Sequence, residues 1–134
     1  MSYTAVDLVD LATGVCTPQP PLLSHHGLLV GCSAARLPDG RIVCVGTALD
    51  YAGNPDDTAQ VLEPPEQGSP SGASWQWRYL PAVSVGRWNG GGCVLSDGRF
   101  AVFGGSNDSY NSMASCEVLT LDGDIERWEP LPPM

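Results

Sequence analysis

The stretch Leu95–Asp108, LSDGRFAVFGGSND, sets an Asp-Gly-Arg turn, a short apolar run, a pair of glycines and a polar loop in that order. An earlier stretch, Leu37–Asp50, LPDGRIVCVGTALD, has the same order. An Asp-Gly pair between apolar runs is a hairpin signal, because Gly accepts φ > 0 and Asp bonds its own backbone. In the first copy Pro38 also presets φ ahead of the turn. One such segment makes a hairpin; two in the same register make a repeat.

Working outward, an apolar stretch precedes each turn, at CSAARL and at GGGCVL. Beyond each polar loop comes a third run, TAQVLEP around Val61 and SCEVLTLDG around Val118. A fourth follows, WQWRYLPAV at Trp75–Val83 and ERWEPLPPM at Glu126–Met134. Two units of four short strands therefore span residues 31–83 and 89–134. The opening AVDLVDLATGVCTPQPPL matches CEVLTLDGDIERWEPLPPM, with Cys16 at the place of Trp128, so residues 1–22 read as the last two strands of a further unit. A period of roughly 50 to 60 residues with four strands per unit lies in the range of propeller blades. The expected fold is all-β, a partial β-propeller of about two and a half four-stranded antiparallel blades.

Composition agrees. Sixteen glycines and twelve prolines in 134 residues interrupt every window that could hold a helical apolar stripe. The net charge of -9 comes with six basic residues, all arginine, the wrong balance for gripping a phosphate backbone. Nucleic acid and anionic membrane are not expected partners, and a basic protein partner suits the charge better. The N-terminal MSYTAVDLVDLATG has no basic segment leading an apolar one, and no run approaches about 18 apolar residues. A cytoplasmic location follows as the expectation. The five cysteines, Cys16, Cys32, Cys44, Cys93 and Cys116, then read as buried, reduced thiols.

The sequence resembles the kelch repeat family. The residues that carry the likeness are the turns Asp39–Arg41 and Asp97–Arg99, the pair Gly104 and Gly105, Arg87, and Trp77 and Trp128 ahead of LPAV and LPPM. The first unit departs from the pattern with Gly46 and Thr47 at the double glycine and no arginine matching Arg87. The resemblance implies a propeller that binds other proteins, with each tryptophan filling the gap between blades. The segments GLLVGCSAARLPDGRIVCVG and GRWNGGGCVLSDGRFAVFGG also look like the propeller of galactose oxidase and glyoxal oxidase. There a cysteine is crosslinked to a tyrosine to form a copper-bound radical cofactor. Cys32 sits near the cysteine position, but Trp88 or Asn89 fills the tyrosine position, and neither can form a thioether-linked phenol. No cofactor is expected.

Other chemistry has weak support. His25 and His26 with Cys32 could hold a metal, yet neighbouring residues of a strand point to opposite faces and no fourth ligand is near in sequence. No Gly-rich loop leads into a helix with the Lys-Ser/Thr of a phosphate site. Serine, cysteine and histidine are not spaced as nucleophile and base. In an up-and-down blade, the loop between strands two and three and the loop leading to the next blade emerge at the same end. That end gathers His25, His26, Asp50, Tyr51, Asp57, Arg87, Trp88, Asp108 and Tyr110. Aromatic and charged residues on loops over a rigid scaffold suit recognition, with a structural role as the competing reading for Arg87. The expected function is a protein-interaction module without catalysis. A remnant of a galactose-oxidase-like copper enzyme and a self-assembling scaffold are the alternatives. Two and a half blades also leave open sheet edges, so the isolated chain is expected to be part of a longer propeller, marginally stable and prone to self-association.

Overall fold

The computed structural model of the chain describes residues 5–23, 31–46, 57–107 and 111–134. Among these residues there are ten strands and no helix. β1 (Val6–Val9) and β2 (Cys16–Gln19) form a two-stranded sheet. β3 (Ser33–Arg36), β4 (Ile42–Val45), β5 (Ala59–Glu63) and β6 (Gln76–Leu80) form a four-stranded sheet in chain order. β7 (Gly91–Val94), β8 (Phe100–Phe103), β9 (Cys116–Asp122) and β10 (Ile125–Leu131) form another. Every pairing is antiparallel, so the chain is an all-β, partial propeller-like array of two, four and four strands.

The two turns that announce the repeat are built alike. Leu37 N–H donates to Arg41 O at 2.7 Å and Gly40 N–H to Leu37 O at 3.0 Å; Leu95 to Arg99 at 2.8 Å and Gly98 to Leu95 at 2.9 Å repeat the pattern. Gly98, with φ at 87°, takes the left-handed conformation that closes the turn. Asp39 and Asp97 each accept the backbone N–H two residues on, at 3.0 Å, and pair with the guanidinium of Arg41 and Arg99. Those two bonds hold each carboxyl below the ordinary carboxylate range, the arginine side chain being the larger cause.

The core lies between the two larger sheets. Val43, Val45, Ala59, Val61 and Leu80 of one sheet meet Phe100, Val102 and Leu119 of the other, with Leu37 and Val83 closing the ends. Each fully buried side chain of this kind contributes about 1.5 to 3 kcal/mol. β4 and β8 are buried on both faces, which explains why RIVCVG and RFAVFGG are apolar without alternation. β3 and β7 approach so closely that a Cβ on Gly92 would stand 2.8 Å from Ser33 Cβ and from Phe100 Cζ. Ser33 Oγ donates to Gly90 O at 2.7 Å across the same seam.

Both tryptophans lie between sheets, and both do more than fill space. The Trp128 ring meets Phe100 edge-on, with centroids 6.5 Å apart, while its Nε1–H donates to Pro81 O at 2.8 Å. Trp77 Nε1–H donates to Pro20 O, also at 2.8 Å. Pro20, Pro81 and Pro132 are each the fourth residue after Cys16, Trp77 and Trp128, and the same latch ties each four-stranded sheet to the exit of the one before. The cysteine expectation needs correction. Cys44 and Cys116 are buried, but Cys16, Cys32 and Cys93 are exposed, and all five are free. Their strands explain it: β2 belongs to the incomplete sheet, and β3 and β7 are sheet edges.

Candidate functional site at the loop end

The antiparallel order puts the connections β2–β3, β4–β5, β6–β7 and β8–β9 at one end, opposite the Asp-Gly-Arg turns. The segment linking β6 to β7 crosses this end and is fastened residue by residue. Val83 N–H donates to Asp57 O at 3.0 Å and Ser84 N–H to Glu117 Oε1 at 3.0 Å. Trp88 and Ser106 exchange both backbone bonds at 2.9 Å, and Ser106 bridges on to Ser112. Glycine at position 105 permits this closeness, since a Cβ there would lie 2.6 Å from Trp88 O. Asn89 then turns the chain into β7 with φ at 50°, a conformation asparagine tolerates better than most residues.

Arg87 is the centre of this arrangement. Its side chain is 3% exposed and its Nη2 lies 2.9 Å from Oε2 of Glu117, itself 6% exposed. Nη1 donates to Gly104 O and to Ser115 O, both at 2.9 Å, and Nη2 reaches Ser115 Oγ at 3.1 Å. The guanidinium therefore ties β9 and the β8–β9 connection to the β6–β7 segment, and its charge is spent inside the fold. Of the other residues expected at this end, Asp57 is exposed and Trp88 half-buried. His25, His26, Asp50, Tyr51, Asp108 and Tyr110 lie outside the described residues.

Three residues escaped the sequence reading. Glu117 and Ser115 receive Arg87, and Gln60 repeats the role of Glu117 one sheet earlier: its Oε1 accepts Leu23 N–H at 2.8 Å, as Glu117 accepts Ser84. The signal was available, because AQVL and CEVL align in the repeat and place one polar side chain amid apolar neighbours. Arg87 stands six residues past Pro81, and the position six past Pro20, His26, lies outside the described residues.

With this geometry in view, the likeness to known structures is specific in fold. A fungal alcohol oxidase of the AA5 family, solved in complex with copper, superposes with a TM-score of 0.68 at 19% identity, over 91% of this chain and 26% of that one. The chain thus spans about a quarter of that protein's length. No family model and no curated protein matches the sequence.

The copper of that neighbour prompts a test of fit. Cys32 is exposed and accepts a hydrogen bond from the Cys44 thiol, which lowers its pKa to about 6, while the thiol of buried Cys44 is pushed up. A cysteine sulfur near the expected position is present, but the residues in the β6–β7 segment at the tyrosine position are an indole and an amide, Trp88 and Asn89. Among the described residues no three His, Cys, Asp or Glu side chains converge as ligands. These residues do not fit a copper-radical centre. Also among the described residues, no helix is long and apolar enough to cross a membrane.

Proposed function

We propose that this chain is a kelch-type propeller segment that works as a protein-interaction module and carries no catalysis of its own. The observation that supports the reading is the internal engagement of Arg87. The most reactive-looking charge at the loop end is bonded to Glu117, Ser115 and Gly104, which stiffens a platform for the loops rather than offering a group to a substrate. Loops on a rigid sheet scaffold are the usual carriers of recognition. Tyr51, Asp57, Trp88 and Tyr110 supply side chains of the kind that anchor a partner, and an acidic chain favours a basic one.

The second reading, a remnant of a galactose-oxidase-like enzyme, draws on the shared fold. One experiment separates them. The purified chain, loaded with copper and offered galactose, glyoxal and simple alcohols, is expected to form no peroxide above the level of free copper; sustained turnover would overturn the proposal. A partner recovered by cross-linking should be lost with Trp88→Ala and Tyr51→Ala combined and kept with Asp39→Asn. The reverse pattern would place binding at the turn end instead.

A further inference from the structure

Two of the five cysteines stand together. β3 and β4 pair with Ala34 opposite Cys44, and alternate residues of a strand share a face, so Cys32, two residues before Ala34, lies on the face that carries Cys44. The sulfurs meet there, the Cys44 thiol donating a hydrogen bond to Cys32 Sγ. Cys32 is exposed, whereas Cys44 is only 4% exposed. The second four-stranded sheet does not repeat the pair, for Gly90 and Val102 hold the two positions. Of the other exposed thiols, Cys16 faces Val9 and Cys93 faces Ala101.

The pair adjoins the loop end through backbone contacts. A Cβ on Gly31, beside Cys32, would stand 2.9 Å from Asn89 N, and one on Gly46, two residues past Cys44, would stand 3.1 Å from Arg87 O. The start of β3 and the end of β4 thus both press on the β6–β7 segment. A change in how the two sulfurs are held is felt at residues 87–89.

We propose that Cys32 and Cys44 form a reversible thiol–disulfide site whose reactant is a low-molecular-weight disulfide of the glutathione type. Cys32 Sγ, as thiolate, attacks one sulfur of the small disulfide; the bond between its two sulfurs breaks and one thiolate leaves. The Cys44 thiol gives its proton to that thiolate, its sulfur attacks Cys32 Sγ, and the second small thiolate departs. The two protein sulfurs lose two electrons and become joined, while the small disulfide is reduced to one thiol and one thiolate. The roles follow from placement, since Cys32 is open to the reactant and Cys44 is buried against Cys32. The chief cause that pushes the Cys44 thiol up is its bond to Cys32, and that cause vanishes once Cys32 is in a mixed disulfide. The site does not depend on the proposed function.

The test is incubation of the intact chain at neutral pH in glutathione buffers stepped from reduced to oxidised, then acid quenching, alkylation of the remaining thiols and tryptic mapping. Cleavage after Arg36 and Arg41 separates Cys32 from Cys44. The two should be lost to alkylation together, appear as one joined peptide, and return fully with reduced glutathione. Cys32 should react about threefold faster than Cys93, its gain in thiolate being offset in part by weaker nucleophilicity. Cys44→Val, which takes the residue of the second sheet, should leave glutathione on Cys32 in place of the joined peptide. Cys32→Ser should leave Cys44 reduced. The amide resonances of Arg87 and Asn89 should shift on oxidation of the parent and stay in place in oxidised Cys44→Val. Glutathione retained on Cys32 of the parent with Cys44 still alkylated, or a joined peptide that forms only in urea, would overturn the proposal. So would a joined peptide that survives Cys32→Ser, because Cys16 would then be the partner, or one that links two chains and doubles the mass.

Discussion

Replacing Arg87 by methionine tests the interior of the loop end most directly. The substitution keeps the length and apolar stem of the side chain but removes the guanidinium, and with it one ion pair and three further hydrogen bonds, all to groups in or beside β9. What remains is a carboxylate at Glu117 that is 6% exposed and faces no cation. Breaking a buried pair by deleting one partner costs about 3 to 5 kcal/mol, against a total stability of about 5 to 15 kcal/mol for a domain. At about 4 °C per kcal/mol for a chain of this size, Tm should fall by roughly 12 to 20 °C. Adding Glu117→Gln should restore about 1 to 3 kcal/mol, since the buried charge is gone and an amide oxygen can still accept Ser84 N–H, as Gln60 accepts Leu23 N–H. Urea denaturation of the single and double variants measures both numbers. A loss under about 1 kcal/mol for Arg87→Met, the value of an exposed pair, with Glu117→Gln adding to it instead of offsetting it, would refute the reasoning.

Three further outcomes are expected. Trp128→Phe deletes the bond to Pro81 O while keeping an aromatic ring against Phe100, so it should cost about 1 to 2 kcal/mol, and Trp77→Phe a similar amount through Pro20; equal stability to the parent in chemical denaturation would remove the latch from the argument. Asp39 and Asp97 should titrate below the ordinary carboxylate range in a proton–carbon spectrum, and their contribution, present above the unfolded pKa near 3.9, should fade as pH falls through the depressed native values; titration at the ordinary value would contradict the turn geometry. Cys32, lowered to about 6 by the Cys44 thiol, should react with iodoacetamide at pH 7 about threefold faster than an ordinary exposed thiol, a thirtyfold gain in thiolate being reduced by its weaker nucleophilicity. Cys44→Ala should slow that labelling, and an unchanged rate would show that the two sulfurs do not interact.

Much of the architecture could be read in advance because it rests on local chemistry. Asp39-Gly40-Arg41 and Asp97-Gly98-Arg99 are self-contained turns, each held by its own aspartate, so their sequence is enough. The doubly buried runs of β4 and β8 announce themselves by lacking alternation. Contacts that join distant segments were less visible. Glu117 stands among apolar residues on β9, where a single polar residue reads as a solvent-facing position until Arg87, thirty residues earlier, is placed against it. The tryptophans were recognisable as packing residues, but their acceptors are backbone carbonyls, which carry no sequence label. The thiols were misjudged for a related reason: Cys32 and Cys93 lie beside apolar runs, yet edge strands leave them uncovered.

The bonds from Ser84 and Arg87 to Glu117, and from Trp128 to Pro81, have a consequence for how such repeats can be recombined. The residues that complete the last sheet do not begin where its first strand begins. A crossover made just before Gly91 would separate Arg87 from Glu117 and deliver a sheet with an orphaned carboxylate into a new context. A cut made directly after Leu80 would carry the linker, its arginine and the acceptor for the tryptophan together with the strands they serve. The transferable piece therefore runs from Pro81 to Leu131, linker first. The earlier piece, with Gln60 in the acceptor position, would need no arginine in the linker joined to it. Swapping linkers between the two pieces should be penalised in both directions, by an orphaned Glu117 carboxylate in one and by a buried Arg87 facing the neutral Gln60 in the other.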